Sequence, residues 1–188
     1  MNLNEVKDAL DEAEYFYQRM EALSKIPKDF QHNLNAFVSR ARAVTWVLKK
    51  QFSGNQKFSE WYATEEKVMQ ADELMSFFVE ARNISLKEKP IRPQSSTYFR
   101  NIEFSNPKGR GFAITGNGEA VWIEKNGEGK EKRVHAEEFD SETAKEYYFA
   151  NPRPPKLFEN LQVLDLCGLY LRALKSLVDE SLKKFSQT

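Results

Sequence analysis

Phe30, Leu34, Phe37, Ala41, Val44 and Leu48 recur at steps of three and four residues. That period puts them on one face of an α-helix and excludes a strand, whose side chains alternate at every second residue. The pattern predicts a helix from about Lys28 to Phe52. Pro27 is suited to its first turn, and Ser53-Gly54-Asn55 supplies residues suited to a left-handed C-terminal cap. A stripe of this length is stable only when covered, so the chain must supply further helices to pack on it.

Three other segments carry the same period. Leu3, Val6, Leu10, Ala13, Tyr17 and Met20 predict a helix over Leu3 to Leu23. Gln56 to Leu86 is helical in pattern, and Asp72 is placed to cap a new helix, so a break is expected near Ala71. Pro90 and Pro93 stop that run. The last helix is expected over Leu157 to Phe185, with Leu161, Leu164, Leu171, Leu174, Val178 and Leu182 as its main stripe. Leu157, Leu166, Cys167, Tyr170 and Leu177 widen it. Ser141 to Phe149 reads as a short helix capped by Ser141, and Asn151 to Pro155 as a rigid connector.

The middle of the chain has a different period. Gly111 to Thr115 and Ala120 to Lys125 are short β-type runs around Gly116-Asn117-Gly118, a strong hairpin signal. Asn126-Gly127-Glu128-Gly129 precedes a third run, Lys132 to Ala136, and Thr97 to Phe104 supplies a fourth. The fold class is therefore mainly α. It is a bundle of four to five helices with an inserted small antiparallel β-sheet of three to four strands. Residues 1–188 read as a single domain, with N-terminal helices over 1–96, the β-hairpin insertion over 97–136 and C-terminal helices over 137–188.

The chemistry available is limited. Cys167 is the single cysteine, which rules out an internal disulfide. His32 and His135 lie far apart and in different elements, so no zinc-binding spacing exists and no metal site is expected. No motif calls for a cofactor, and no catalytic constellation emerges. The acidic, amphipathic N-terminus lacks the basic start and apolar run of a signal peptide. No segment approaches the roughly 20 apolar residues of a membrane span. The expected location is cytoplasmic, without membrane contact.

Lys and Arg together number 28, as do Asp and Glu, so net charge favours no polyanion. Local charge is uneven. Phe30 to Ser59 contains Arg40, Arg42, Lys49, Lys50 and Lys57 but no acid, while Glu60 to Glu80 is strongly acidic. Charge-complementary neighbouring helices account for that contrast, and the alternative is a basic strip for a polyanion. Beyond it, Arg82, Lys87, Lys89 and Arg92 fall at a helix end and in a proline-containing loop, where phosphate contacts commonly occur.

The segment from Asn35 to Pro90, with Glu80-Ala81-Arg82-Asn83 at its core, resembles the HEPN-like helical proteins. Active members of that superfamily are metal-independent ribonucleases, often dimeric and often found in toxin or defence systems. In them an Arg-Asn at a helix end is followed by a catalytic His. The resemblance maps the pair onto Arg82 and Asn83 but puts Lys87 where the His belongs. A lysine ammonium, with an ordinary pKa of about 10.4, is no general base at neutral pH. The resemblance thus implies the scaffold and RNA contact without the chemistry, in a protein of a mobile or defence-associated locus.

The sequence therefore reads as a non-catalytic interaction protein. Its candidate nucleic-acid contacts are Arg82, Asn83, Lys87, Lys89 and Arg92. Phe112, Ile114 and Trp122 are the candidate contacts for a protein partner or a second copy. An RNA-processing enzyme using Arg82 and a small-molecule sensor remain as alternatives.

Overall fold

The computed structural model describes residues 4–100, 111–114, 120–125, 127, 130–135 and 142–185. Within these, the architecture is mainly α, with helices α1 (Asn4–Ala22), α2 (Pro27–Gln51), α3 (Gln56–Ala71), α4 (Glu73–Lys87) and α5 (Val163–Phe185). The strands are β1 (Gln94–Arg100), β2 (Gly111–Ile114), β3 (Ala120–Lys125), β4 (Glu131–His135) and β5 (Glu142–Tyr148). The chain forms two compact units, one of residues 1–95 and 146–188, the other of residues 96–145.

The first unit is the helical one. Phe30, Leu34, Phe37, Ala41, Val44 and Leu48 are all buried on α2, as their spacing requires. Val6, Leu10, Ala13 and Met20 bring the matching face of α1 into the same core. Pro27 occupies the first turn of α2 after the extended Ile26, where its missing N–H costs nothing. Asn55 does not close α2. Its side chain accepts the Phe58 N–H at 3.1 Å and caps α3 instead, so Phe52 ends α2. Asp72 breaks the next helical run as its position suggests. Its N–H donates to the Val68 carbonyl to finish α3, and its carboxylate accepts the Met75 N–H at 2.9 Å to start α4.

Two corrections follow in the C-terminal half, which is not wholly helical. Ser141 to Phe149 is not a helix. Glu142–Tyr148 is a strand paired with β1, and the Ser141 cap lies outside the described residues. Burial at period two decides this. Tyr147 stacks on Phe30 with ring centroids 3.8 Å apart and donates its hydroxyl to the Ser24 carbonyl at 2.8 Å. Two residues on, Phe149 packs edge-on against Phe77 at 5.0 Å. No helix presents residues 147 and 149 to the same side.

The last helix also starts later than its pattern indicates. Lys156–Phe158 is a turn of 3-10 helix after Pro155, Leu157 is 77% exposed, and α5 begins only at Val163. Its buried face is rotated from the expected stripe. Val163, Leu166, Cys167, Tyr170, Leu174, Leu177 and Val178 are buried, whereas Leu161, Leu164, Leu171 and Leu182 only border the core. The aromatic residues settle the phase, with Tyr170 lying flat on Phe78 at 4.2 Å and 4°.

The second unit holds an antiparallel sheet in the order β2-β3-β4. Phe112 pairs with Trp122, and Trp122 with Val134. Among the described residues β1 does not extend this meander; it pairs with β5. The Gly116-Asn117-Gly118 turn, the Asn126 to Gly129 turn apart from Gly127 and the Asn101 to Phe104 part of the fourth run lie outside the described residues.

One polar side chain fixes the segment after α4. Asn35 of α2 donates from Nδ2 to the Ile91 carbonyl at 3.0 Å and accepts the Ile91 N–H on Oδ1 at 2.8 Å. The same amide accepts the Ser85 hydroxyl at 2.7 Å and donates to the Gln31 carbonyl at 2.8 Å. Both of its polar atoms are used twice, and Ile91 is drawn in to 1% exposure. Asn35→Ala strands the Ile91 N–H and should cost about 1–3 kcal/mol. Denaturant titration checks the loss, and hydrogen exchange should quicken at Ile91. An unchanged Ile91 exchange rate would show that the clamp does not hold the segment.

Tyr17 of α1 comes close to α5 at Gly168, where an added Cβ would lie 3.2 Å from its hydroxyl. Burial first, then the Glu21 carboxylate, pushes the Tyr17 phenol up to about 12 from an ordinary 10.0. The folded state thus disfavours tyrosinate. The resulting stabilisation is complete below pH 10 and is lost as pH rises through about 12. Unfolding midpoints measured across that window should fall more steeply for the wild type than for Tyr17→Phe. Equal slopes would place the alkaline titration elsewhere.

Candidate nucleic-acid interface

The last turns of α4 carry Arg82 and Asn83. Arg82 is half-buried, and its Nη1 donates to Asn83 Oδ1 at 3.1 Å. Its guanidinium lies 4.8 Å from the ring centre of Trp46 on α2. Arg42, one turn before Trp46, approaches the same ring at 5.6 Å. Trp46 remains 54% exposed despite these two cations. An exposed indole beside guanidinium groups offers a face for stacking and charge for a phosphate.

Lys87 ends α4, and Lys89 and Arg92 follow; all three are exposed, with no ion-pair partner among the described residues. The Glu88 and Lys89 N–H groups both donate to the Ile84 carbonyl, and Asn35 anchors Ile91 beyond them. These cations therefore project from a tied-down backbone. Lys87, which stands where the HEPN-like pattern has its histidine, is exposed, as is His32; His135 belongs to β4 in the other unit.

Two other basic residues of α2 pair with neighbouring helices. Lys49 meets Glu66 of α3 at 3.3 Å, the contact expected of charge-complementary helices, and Arg40 meets Glu12 of α1 at 3.1 Å. Both pairs are about half exposed and contribute roughly 0–1 kcal/mol each. They neutralise two of the α2 cations and leave Arg42 without a carboxylate partner among the described residues.

Phe112, Ile114 and Trp122 are on adjacent strands of the second unit, with Phe112 opposite the half-buried Trp122. The side chains of Phe112 and Ile114 lie outside the described set. Among the described residues no three His, Cys, Asp or Glu side chains converge as metal ligands would. Cys167 is buried, and burial pushes its thiol well above the ordinary range. No helix among the described residues is long and apolar enough to cross a membrane.

Sequence reasoning missed Trp46 and Asn35 as members of this region and saw Arg42 only as part of the basic run of α2. Trp46 was findable, because it falls between the stripe residues Val44 and Leu48 and four residues after Arg42, on the uncovered face. Asn35 gave no such signal, since its partner is 56 residues away.

Residues 2–102 match the family model described as Bacteriophage lambda protein ea47. No curated protein and no solved structure gives a match. The matched segment contains α1 to α4, Trp46 and every basic residue of the candidate interface; β2, β3, β4 and α5 lie beyond it. A match over more than half of the 188 residues shows the family: the chain belongs to that of bacteriophage lambda protein ea47.

Proposed function

We propose that this protein is a non-catalytic accessory protein of a mobile element that binds RNA through the C-terminal end of α4 and the neighbouring face of α2. The observation that carries this reading is the exposed Trp46, approached by Arg82 and Arg42. Lys87, Lys89 and Arg92 add three cations on the anchored segment that follows. Stacking on an indole and salt-dependent phosphate contact together suit a single strand better than a duplex, whose bases are already stacked. The HEPN-like resemblance fits this reading as scaffold and RNA contact. The chemistry is left out because Lys87 replaces the histidine and Arg82 is already engaged by Asn83 and Trp46. Phe112, Ile114 and Trp122 take no part in it.

Fluorescence anisotropy with labelled single-stranded RNA across a salt series tests the proposal. Each phosphate contact contributes about 0.7 to the slope of log affinity against log salt, so replacing Lys87, Lys89 and Arg92 by Ala should reduce it by about 2. Trp46→Ala should weaken binding by about 1–3 kcal/mol without changing that slope. Full affinity in the triple variant would remove the interface. The same RNA should stay intact; cleavage abolished by Arg82→Ala would overturn the non-catalytic part of the reading.

A further inference from the structure

Arg42 also lines a cleft of about 210 Å³, with Tyr62, Met69, Met75, Val79 and Tyr170 among its other lining residues. It lies within the helical unit, between α2, α3, α4 and α5. Its walls are mainly apolar, and its few polar groups are not equivalent. Glu66 is neutralised by Lys49 at 3.3 Å. The Tyr62 hydroxyl donates to the Thr45 carbonyl at 3.3 Å, and the Ser76 hydroxyl to the Gln70 carbonyl at 3.1 Å. The Gln70 side chain is exposed to water, which leaves Arg42 and Tyr170. Arg42 hydrogen-bonds Thr45 Oγ1 but meets no carboxylate among the described residues. Tyr170 is 99% removed from solvent and lines the cleft, and its hydroxyl is not among the sealed polar atoms that lack a partner, so it stays accessible to a ligand there.

A guanidinium that no carboxylate meets, beside a phenol in a mainly apolar cleft, is suited to receive an anion through charge-assisted hydrogen bonds. We infer that this cleft binds a small amphipathic monoanion, its carboxylate received by Arg42 and Tyr170 and its apolar body lying on Met69, Met75 and Val79. Size narrows the class. A cavity of roughly 150 Å³ takes the six carbons of benzene, so by proportion this one takes about eight. Methionine side chains adapt to either a chain or a ring. This site goes beyond the RNA-binding reading and shares only Arg42 with it.

Isothermal titration calorimetry with octanoate, octanol and octylammonium tests the inference. Octanoate should bind saturably with one-to-one stoichiometry, at least about tenfold tighter than the other two, as expected for a hydrogen-bonded charge. Arg42→Gln should remove most of that preference, and Tyr170→Phe should weaken octanoate by about threefold or more. Val79 is 37% exposed at the rim, so Val79→Trp should fill the cleft and abolish binding while leaving the thermal unfolding midpoint intact. The Lys87, Lys89 and Arg92 triple variant should bind octanoate normally, which separates failure here from failure of RNA binding. Absence of saturable heat in the millimolar range, or equal affinity for octanoate and octylammonium, would overturn the site. So would octanoate affinity unchanged in a folded Arg42→Gln protein.

Discussion

Burial of one face of α2 is the constraint to which the rest of the helical unit conforms. Phe30, Leu34, Phe37, Val38, Val44 and Leu48 are all fully or almost fully removed from water. Each side chain of this size contributes about 1.5–3 kcal/mol when buried. No surface ion pair among the described residues competes with that. Once this face is committed, the azimuth of every other α2 residue is set. Asn35 meets the segment after α4, Arg42 the cleft, Trp46 the solvent, and Lys49 the acidic α3. The polar residues of the candidate interface and the cleft are thus placed by an apolar decision made elsewhere on the same helix.

Much of that was legible in the sequence. The stripes of α1 and α2, the break at Asp72 and the antiparallel runs around residues 111–135 follow from local periodicity and capping chemistry. What was not legible depends on distant partners. Glu142–Tyr148 forms a strand because Tyr147 and Phe149 reach Phe30 and Phe77, far away in sequence. In α5, leucines lie almost all round the helix, so hydrophobicity alone cannot choose the inward side; the flat stack of Tyr170 on Phe78 chooses it. Of the candidate interface, the basic residues were visible as a charge run, but their arrangement around Trp46 required the tertiary pairing of α2 with α4.

The acid-free run of α2 also resolves into separate tasks. Arg40 and Lys49 settle against carboxylates of α1 and α3 respectively, and those contacts mainly orient helices. Arg42 does not. It hydrogen-bonds Thr45, leans on Trp46 and lines the cleft beside Tyr170. A uniform-looking stretch of positive charge therefore holds one cation in a different chemical situation from its neighbours. Its distinction comes from being four residues before a tryptophan and one turn from a buried threonine.

Asp72 is the whole joint between α3 and α4. Its backbone closes one helix and its side chain opens the next. Such a joint has no slack, so it sets the phase of α4 as a key sets the angle of a shaft. One residue added there would turn α4 by about 100° about its own axis. Phe78 would leave Tyr170, and Arg82 would leave Trp46, in the same rotation. Core and candidate interface share one angular coordinate, and a single aspartate holds it.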